Sequence, residues 1–179
     1  TAGFFAEEGC AVWDADAAVH RLYSEGGAAV APMQAEFPGA IEDGAISRDR
    51  LREIIAEDPT ALPRIEAIVH PLVQKDRADF IAAHPARIVV LDVPLLFETG
   101  GDAAMDAVAC VSIPPDLQRE RVMARGSMSA EDLERILARQ MPNDEKSARA
   151  DYVIETDTFE HAKAQVQAVM QDIERRRHA

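Results

Sequence analysis

The sequence predicts an α/β protein built on a parallel sheet, and three observations carry that prediction. Ile88-Val-Val-Leu91 is an unbroken aliphatic run that stops at Asp92, with Pro94 close behind. Such a run suits a strand buried on both faces, the habit of parallel sheets. Pro94 lacks a backbone donor and cannot continue a central strand. Ala11-Val-Trp-Asp14-Ala-Asp16 repeats the logic, a short apolar strand closing on acids. Third, strand-like runs alternate with helical periodicity along the chain, which implies right-handed crossovers between parallel strands. An acid at the carboxyl end of such a strand lies where open α/β sheets bind ligands. Two such ends describe a site for a metal, a phosphate donor or a proton-transfer step.

The elements follow in order. Ala2, Phe4 and Phe5 give a first helix its apolar face, and Gly9 stops it. Strand Ala11–Asp14 comes next, then a helix through His20 and Tyr23 broken by Gly26-Gly27. Pro38-Gly39 and Asp43-Gly44 mark loops. Ser47 can cap a helix whose apolar positions are Leu51, Ile54 and Ile55. Asp58-Pro59 predicts a helix start, with an acid at the N-cap and proline at the first helical position. Leu62, Ile65, Ile68, Val69, Leu72 and Val73 form its stripe, which Pro71 should kink or divide. Strands are expected at 88–93 and 107–113. Pro114-Pro115-Asp116 opens a basic helix that runs through Arg125 and ends at Gly126. Ser129 with Asp132 makes a capping-box-like start for a helix over 130–140. Tyr152-Val-Ile154 is a short last strand, and 159–177 an amphipathic helix with Ala162, Val166, Val169, Met170 and Ile173 inward.

With 179 residues, 47% hydrophobic and 28% charged, the chain fits one water-soluble domain. A net charge of −13 argues against a nucleic acid partner and for solubility. Any phosphate site must then be a local basic cluster on an acidic body. Cys10 and Cys110 sit in apolar strand contexts without metal-type spacing, and read as buried free thiols of a reducing compartment. No signal peptide and no membrane-spanning run is visible, so a cytoplasmic protein is expected.

Asp14-Ala-Asp16, Ile68-Val-His70-Pro71-Leu-Val73 and Asp92-Val-Pro-Leu-Leu-Phe-Glu98 resemble, in order and interval, the signature segments of dephospho-CoA kinases. The resemblance runs from Thr1 to about Asp157, and the Asp92–Glu98 run is its specific element. It implies a parallel-sheet P-loop kinase, Rossmann-like and three-layered, with a helical substrate-binding insertion and a lid. The core would be about 1–25, 86–114 and 150–179, the helical substrate-binding region about 26–85, and the lid about 115–145. The implied reaction is ATP-dependent phosphorylation of the ribose 3′-hydroxyl of dephospho-CoA, with Mg²⁺. The family opens with a strand and a Walker A loop, Gly-x-x-x-x-Gly-Lys-[Ser/Thr], which this sequence lacks. The sequence is therefore expected to begin just past that loop, without the ATP phosphate-binding loop and with a fifth strand beyond the visible four. Two other readings stand beside it. One is another small P-loop nucleotide kinase, disfavoured by the Asp92–Glu98 run and the His-Pro helix. The other is a non-catalytic binding module that lacks the phosphate loop.

Phosphoryl transfer needs alignment, cations around the moving group and an acceptor oxygen in line. The resemblance makes Asp16 the catalytic base for the acceptor hydroxyl. Asp14 would support it, or bind Mg²⁺ through water. The plain alternative is that Asp16 caps the following helix. Asp92 would serve the ATP side and the Mg²⁺ shell, or be an ordinary strand-end acid. Glu98 caps or pairs locally. His70 is either a structural residue of its helix or, as the resemblance favours, a substrate-binding one. Pro94 and Leu95 suit packing, or the apolar wall of a pantetheine arm.

Arg121 and Arg125 are four apart and share a helix face, and Arg135 and Arg139 repeat that spacing. This resembles the lid of P-loop kinases, where arginine forks grip phosphate and closure excludes water. Arg125 would act in catalysis and on ATP, Arg121 and Arg139 on substrate. The alternative is a solvated hairpin balanced by Glu120, Glu131, Asp132 and Glu134. Arg52 reads as a solvated position, and Arg175-Arg-Arg177 as favourable charge at a helix end. Dephospho-CoA and ATP are the expected partners, and a monomer is the expected state.

Overall fold

A computed structural model describes residues 1–124, 126, 129, 137 and 140–177. The chain forms two compact units, one of Ala11–Asp92 and one of Thr1–Cys10 with Val93–Ala179.

In the first unit, β1 (Ala11–Asp14) pairs in parallel with β4 (Val89–Asp92), in the register Ala11↔Val89 to Asp14↔Asp92. Parallel neighbours need a long crossover, and here it is largely helical: α2 (Ala15–Tyr23), α3 (Val30–Glu36), α4 (Arg48–Glu57) and α5 (Ala61–Ala82). Gly27 permits the reversal after α2, because a Cβ there would lie 2.3 Å from the Leu22 carbonyl oxygen. Between α3 and α4 stands a hairpin of two short strands, β2 (Ile41–Glu42) and β3 (Ala45–Ile46). Asp43 and Gly44 both take positive φ, at 50° and 78°, which suits the right-handed twist of a two-residue hairpin turn. Ser47 caps α4 by accepting from Arg50 N–H, as the sequence predicts. Leu22, Met33, Phe37, Leu51, Ile65 and Val69 form the core of this unit.

Three expectations need correction here. Asp58 does not cap α5. Its carboxylate accepts from the Thr60 N–H at 2.9 Å and hydroxyl at 2.6 Å, closing a turn, and the helix begins at Ala61. Pro71 does not divide the stripe, since α5 is one helix of 22 residues. An interior proline costs about 3 kcal/mol, and the burial of Ile65 and Val69 upstream supplies packing that offsets it. Finally, β4 is half-buried rather than covered on both faces. Among the described residues its hydrogen-bonded neighbour is β1.

The second unit contains α1 (Ala2–Glu7), β5 (Ala109–Ser112), α6 (Pro115–Ala124), α7 (Asn143–Arg149), β6 (Tyr152–Glu155) and α8 (Phe159–Arg177). β5 and β6 pair in parallel, Ala109↔Tyr152 to Ser112↔Glu155. Its core is laid down by α8: Ala162, Val166, Val169 and Met170 are buried, as their helical spacing predicts, with Ile154 of β6 fully enclosed. Cys10 and Cys110 are buried and form no disulfide among the described residues. Arg125, Arg135 and Arg139, and most of the helix expected over 130–140, lie outside the described residues. No helix among the described residues is long and apolar enough to cross a membrane.

Candidate active site

The parallel register of β1 and β4 sets Asp14 beside Asp92 at the carboxyl ends of both strands. The alternation of β1 decides which side chains face out. Ala11 and Trp13 are buried and Asp14 is exposed. One residue later the chain enters α2, and Asp16 sits in that helix's first turn. Three carboxylates thus gather at one strand end. Their electrostatics agree with that placement. Asp92 is exposed as a residue, yet local burial lifts its carboxyl above the ordinary aspartate range, and the neighbouring charges of Asp14 and Asp16 push the same way. Like charges so arranged favour a bound cation or a shared proton.

The structure divides the two aspartates of the Asp-x-Asp segment. Asp14 is the N-cap of α2, in extended backbone, and its Oδ1 accepts the Ala17 N–H at 2.8 Å. Asp16 therefore has no capping duty, and its carboxylate accepts no hydrogen bond from the described residues. The capping alternative for Asp16 belongs to its neighbour.

Beside these acids is a groove of about 420 Å³ lined by Val12, Trp13, Asp14, Arg21, Asp76 and Phe80. Trp13 is only 2% exposed and donates its indole N–H to Asp76 Oδ1 at 2.7 Å. Arg21 donates to the same oxygen at 2.6 Å. Neither Arg21 nor Asp76 stands out in the sequence. They meet through a contact 55 residues apart, which no local spacing announces. His70 lies exposed on α5 of the same unit.

The remaining sequence candidates belong to the second unit. Pro94 and Leu95 are exposed in the turns after β4. Glu98 is better placed than its sequence case suggested. Its Oε1 accepts the Met141 N–H at 2.9 Å and pairs with Lys146 Nζ at 2.7 Å, the acid and amine being 18% and 16% exposed. Burial pushes the Glu98 carboxyl up, but the Lys146 and Met141 bonds outweigh it and hold it below the usual range. Arg121 donates to the carbonyl oxygens of Thr156 at 2.6 Å and Asp157 at 2.7 Å. Its guanidinium thus ties α6 to the end of β6. Arg125 and Arg139 fall outside the described residues.

The profile of the family described as dephospho-CoA kinase (CoaE) matches residues 1–165. A dephospho-CoA kinase of Ruegeria pomeroyi is 66% identical over 173 residues, covering 97% of this chain and 88% of that protein. One of Bradyrhizobium diazoefficiens is 48% identical over 177 residues, covering 97% and 88%. Among solved structures, TT1252 from Thermus thermophilus superimposes with a TM-score of 0.81 at 30% identity, covering 96% of this chain and 88% of that one. A dephospho-CoA kinase from Campylobacter jejuni, at 22% identity, has the same fold with a TM-score of 0.66, covering 94% and 87%.

Proposed function

Because the chain belongs to the dephospho-CoA kinase family, we propose that it transfers the γ-phosphoryl group of ATP to the ribose 3′-hydroxyl of dephospho-CoA. The products are ADP and coenzyme A. The observation that supports this reading best is the pairing of Asp14 with Asp92 at the ends of parallel strands, with Asp16 in the helix turn that follows.

In this reading Asp16 accepts the proton of the 3′-hydroxyl. Its carboxylate is exposed and committed to no described hydrogen bond, so it is available to an incoming hydroxyl. Asp14 holds the start of α2, and so holds Asp16 where the acceptor must arrive. Asp14 and Asp92 are the residues that would hold Mg²⁺. The fit is electrostatic, because local burial and then the charges of Asp14 and Asp16 raise the cost of ionising Asp92, and a hard cation with oxygen ligands relieves it. When bound, Mg²⁺ neutralises phosphate charge during transfer.

His70, Pro94 and Leu95 are assigned to dephospho-CoA, within and next to a substrate-binding region at about 26–85. Arg121, Arg125 and Arg139 are assigned to a lid at about 115–145, with Arg125 acting on the transferred phosphoryl group. Arg121's bonds to the Thr156 and Asp157 carbonyls give it an anchoring duty as well. The enzyme is taken as a cytoplasmic monomer using ATP and Mg²⁺.

A coupled assay of ADP release with dephospho-CoA, adenosine, AMP and pantetheine, with and without Mg²⁺, tests the reading. Turnover should be highest on dephospho-CoA and should need the cation. Equal or better turnover of AMP would overturn the assignment in favour of a nucleotide kinase.

A further inference from the structure

We propose that Asp76 is the positioning residue of the acid cluster. This inference rests on the kinase reading above and adds to it a residue outside the sequence motifs. One oxygen, Asp76 Oδ1, accepts from Trp13 Nε1 at 2.7 Å and from Arg21 Nη2 at 2.6 Å. Those two donors bracket the segment that carries Asp14 and Asp16. Trp13 is the last residue before Asp14 on β1, and Arg21 lies in the last turn of α2. A single carboxylate on α5 therefore fixes both ends of the strand-to-helix passage in which the acids are set.

The two bonds differ in what they require. The Trp13 indole is buried, so its N–H must find a partner or carry a desolvation cost. Arg21 is half-exposed, with 54% of its side chain accessible against 24% for Asp76. An ion pair that open contributes little to stability. What it adds is a tie between the last turn of α2 and the same α5 oxygen that holds Trp13 of β1. Partial burial pushes the Asp76 carboxyl up, and the Trp13 and Arg21 bonds outweigh that, so it stays below the ordinary range and remains charged. Asp76 touches none of the three acids through a hydrogen bond. It acts through the residues that hold them.

The test compares wild-type protein with Asp76→Asn, Arg21→Ala and Arg21→Lys. Trp13 is the only tryptophan in the chain, so one indole ¹H–¹⁵N signal reports its bond to Asp76. Asp76→Asn should shift that signal, leave both substrate KM values near wild type, and lower kcat by about 10- to 100-fold, the scale of an ångström-level misplacement of a reacting group. Arg21→Ala should lower kcat in the same direction, and Arg21→Lys, which keeps the ion pair, should recover most of the loss. A wild-type kcat in Asp76→Asn overturns the proposal, as does a loss confined to KM. Should Asp76→Asn fail to fold, a folded Arg21→Ala with wild-type kcat overturns it equally. Failure of the wild-type protein to phosphorylate dephospho-CoA would instead sink the functional reading, so the two failures are distinguishable.

Discussion

Replacing Asp16 by Asn separates catalysis from folding more cleanly here than in most helix-start aspartates. The change is nearly isosteric and removes a negative charge and most of the basicity. Asp16 lies in the first turn of α2, where an exposed acid gains at most about 1 kcal/mol from the helix dipole. The cap bond belongs to Asp14 and survives. The mutant should therefore unfold close to the wild-type temperature. One carboxylate also leaves the neighbourhood of Asp92, whose carboxyl should move back toward its ordinary range. Catalysis should respond quite differently. Loss of a general base costs about 10²–10⁴-fold in rate. At about 1.36 kcal/mol per tenfold, the barrier rises by about 3–5 kcal/mol. Steady-state kinetics with dephospho-CoA should show kcat collapsing while both KM values stay near wild type, beside matched thermal melts. Asp14→Ala should give the reverse balance in the melts, losing about 0.5–2 kcal/mol of stability with its cap. If Asp16→Asn turns over at near wild-type kcat, Asp16 is not the base and the reasoning fails.

Three further outcomes are expected. Gly27→Ala places a Cβ 2.3 Å from the Leu22 carbonyl oxygen and should lower stability by about 1–3 kcal/mol or more; an unchanged melting temperature refutes this. Met33 is fully buried, so Met33→Ala should cost about 2–5 kcal/mol, seen as a lower urea midpoint at constant slope. Glu98 titrates below the usual range in the fold, so its contribution is present above the unfolded value of about 4.3 and is lost as pH falls through the folded value. Glu98→Gln should thus be less stable than wild type near neutral pH, with the gap closing in acid, as melts across a pH series would record.

Much of the fold was legible because its long elements obey simple periods. The helix 159–177 was bounded correctly, since Ala162, Val166, Val169 and Met170 repeat at helical spacing over many turns. Strand ends at Asp14 and Asp92 were legible from the switch between apolar run and acid. Short elements were not. The strands flanking Asp43-Gly44 are two residues each, too brief to alternate, and the helices 30–36 and 143–149 have one buried residue and none. At Pro71 the sequence leaves a kink and a break open, and only the break is excluded, because α5 continues through the proline with Ile65 and Val69 buried upstream. Within the site, Asp-x-Asp could be read but not apportioned, because whether Asp14 or Asp16 caps the helix depends on where the backbone leaves extended geometry. The Glu98–Lys146 and Asp76–Arg21 pairs join residues far apart in the chain, and no local spacing encodes a partner at that range.

The alternation of β1 ties the exposure of Asp14 to the burial of its neighbour. Side chains on a strand change face at every residue, so a slip by one position exchanges the two faces. Inserting or deleting one residue between Ala11 and Asp14 would face a choice. Either the Trp13 indole stays inside and the carboxylate loses its place opposite Asp92, or the carboxylate keeps that place and the indole goes to water. Fully burying a large apolar side chain is worth about 1.5–3 kcal/mol, so the indole would hold its position and the acid would be displaced. Point substitutions in this strand are thus graded in effect, whereas a change of length is all-or-none, and a single-residue deletion series through 11–14 should lose activity at every member.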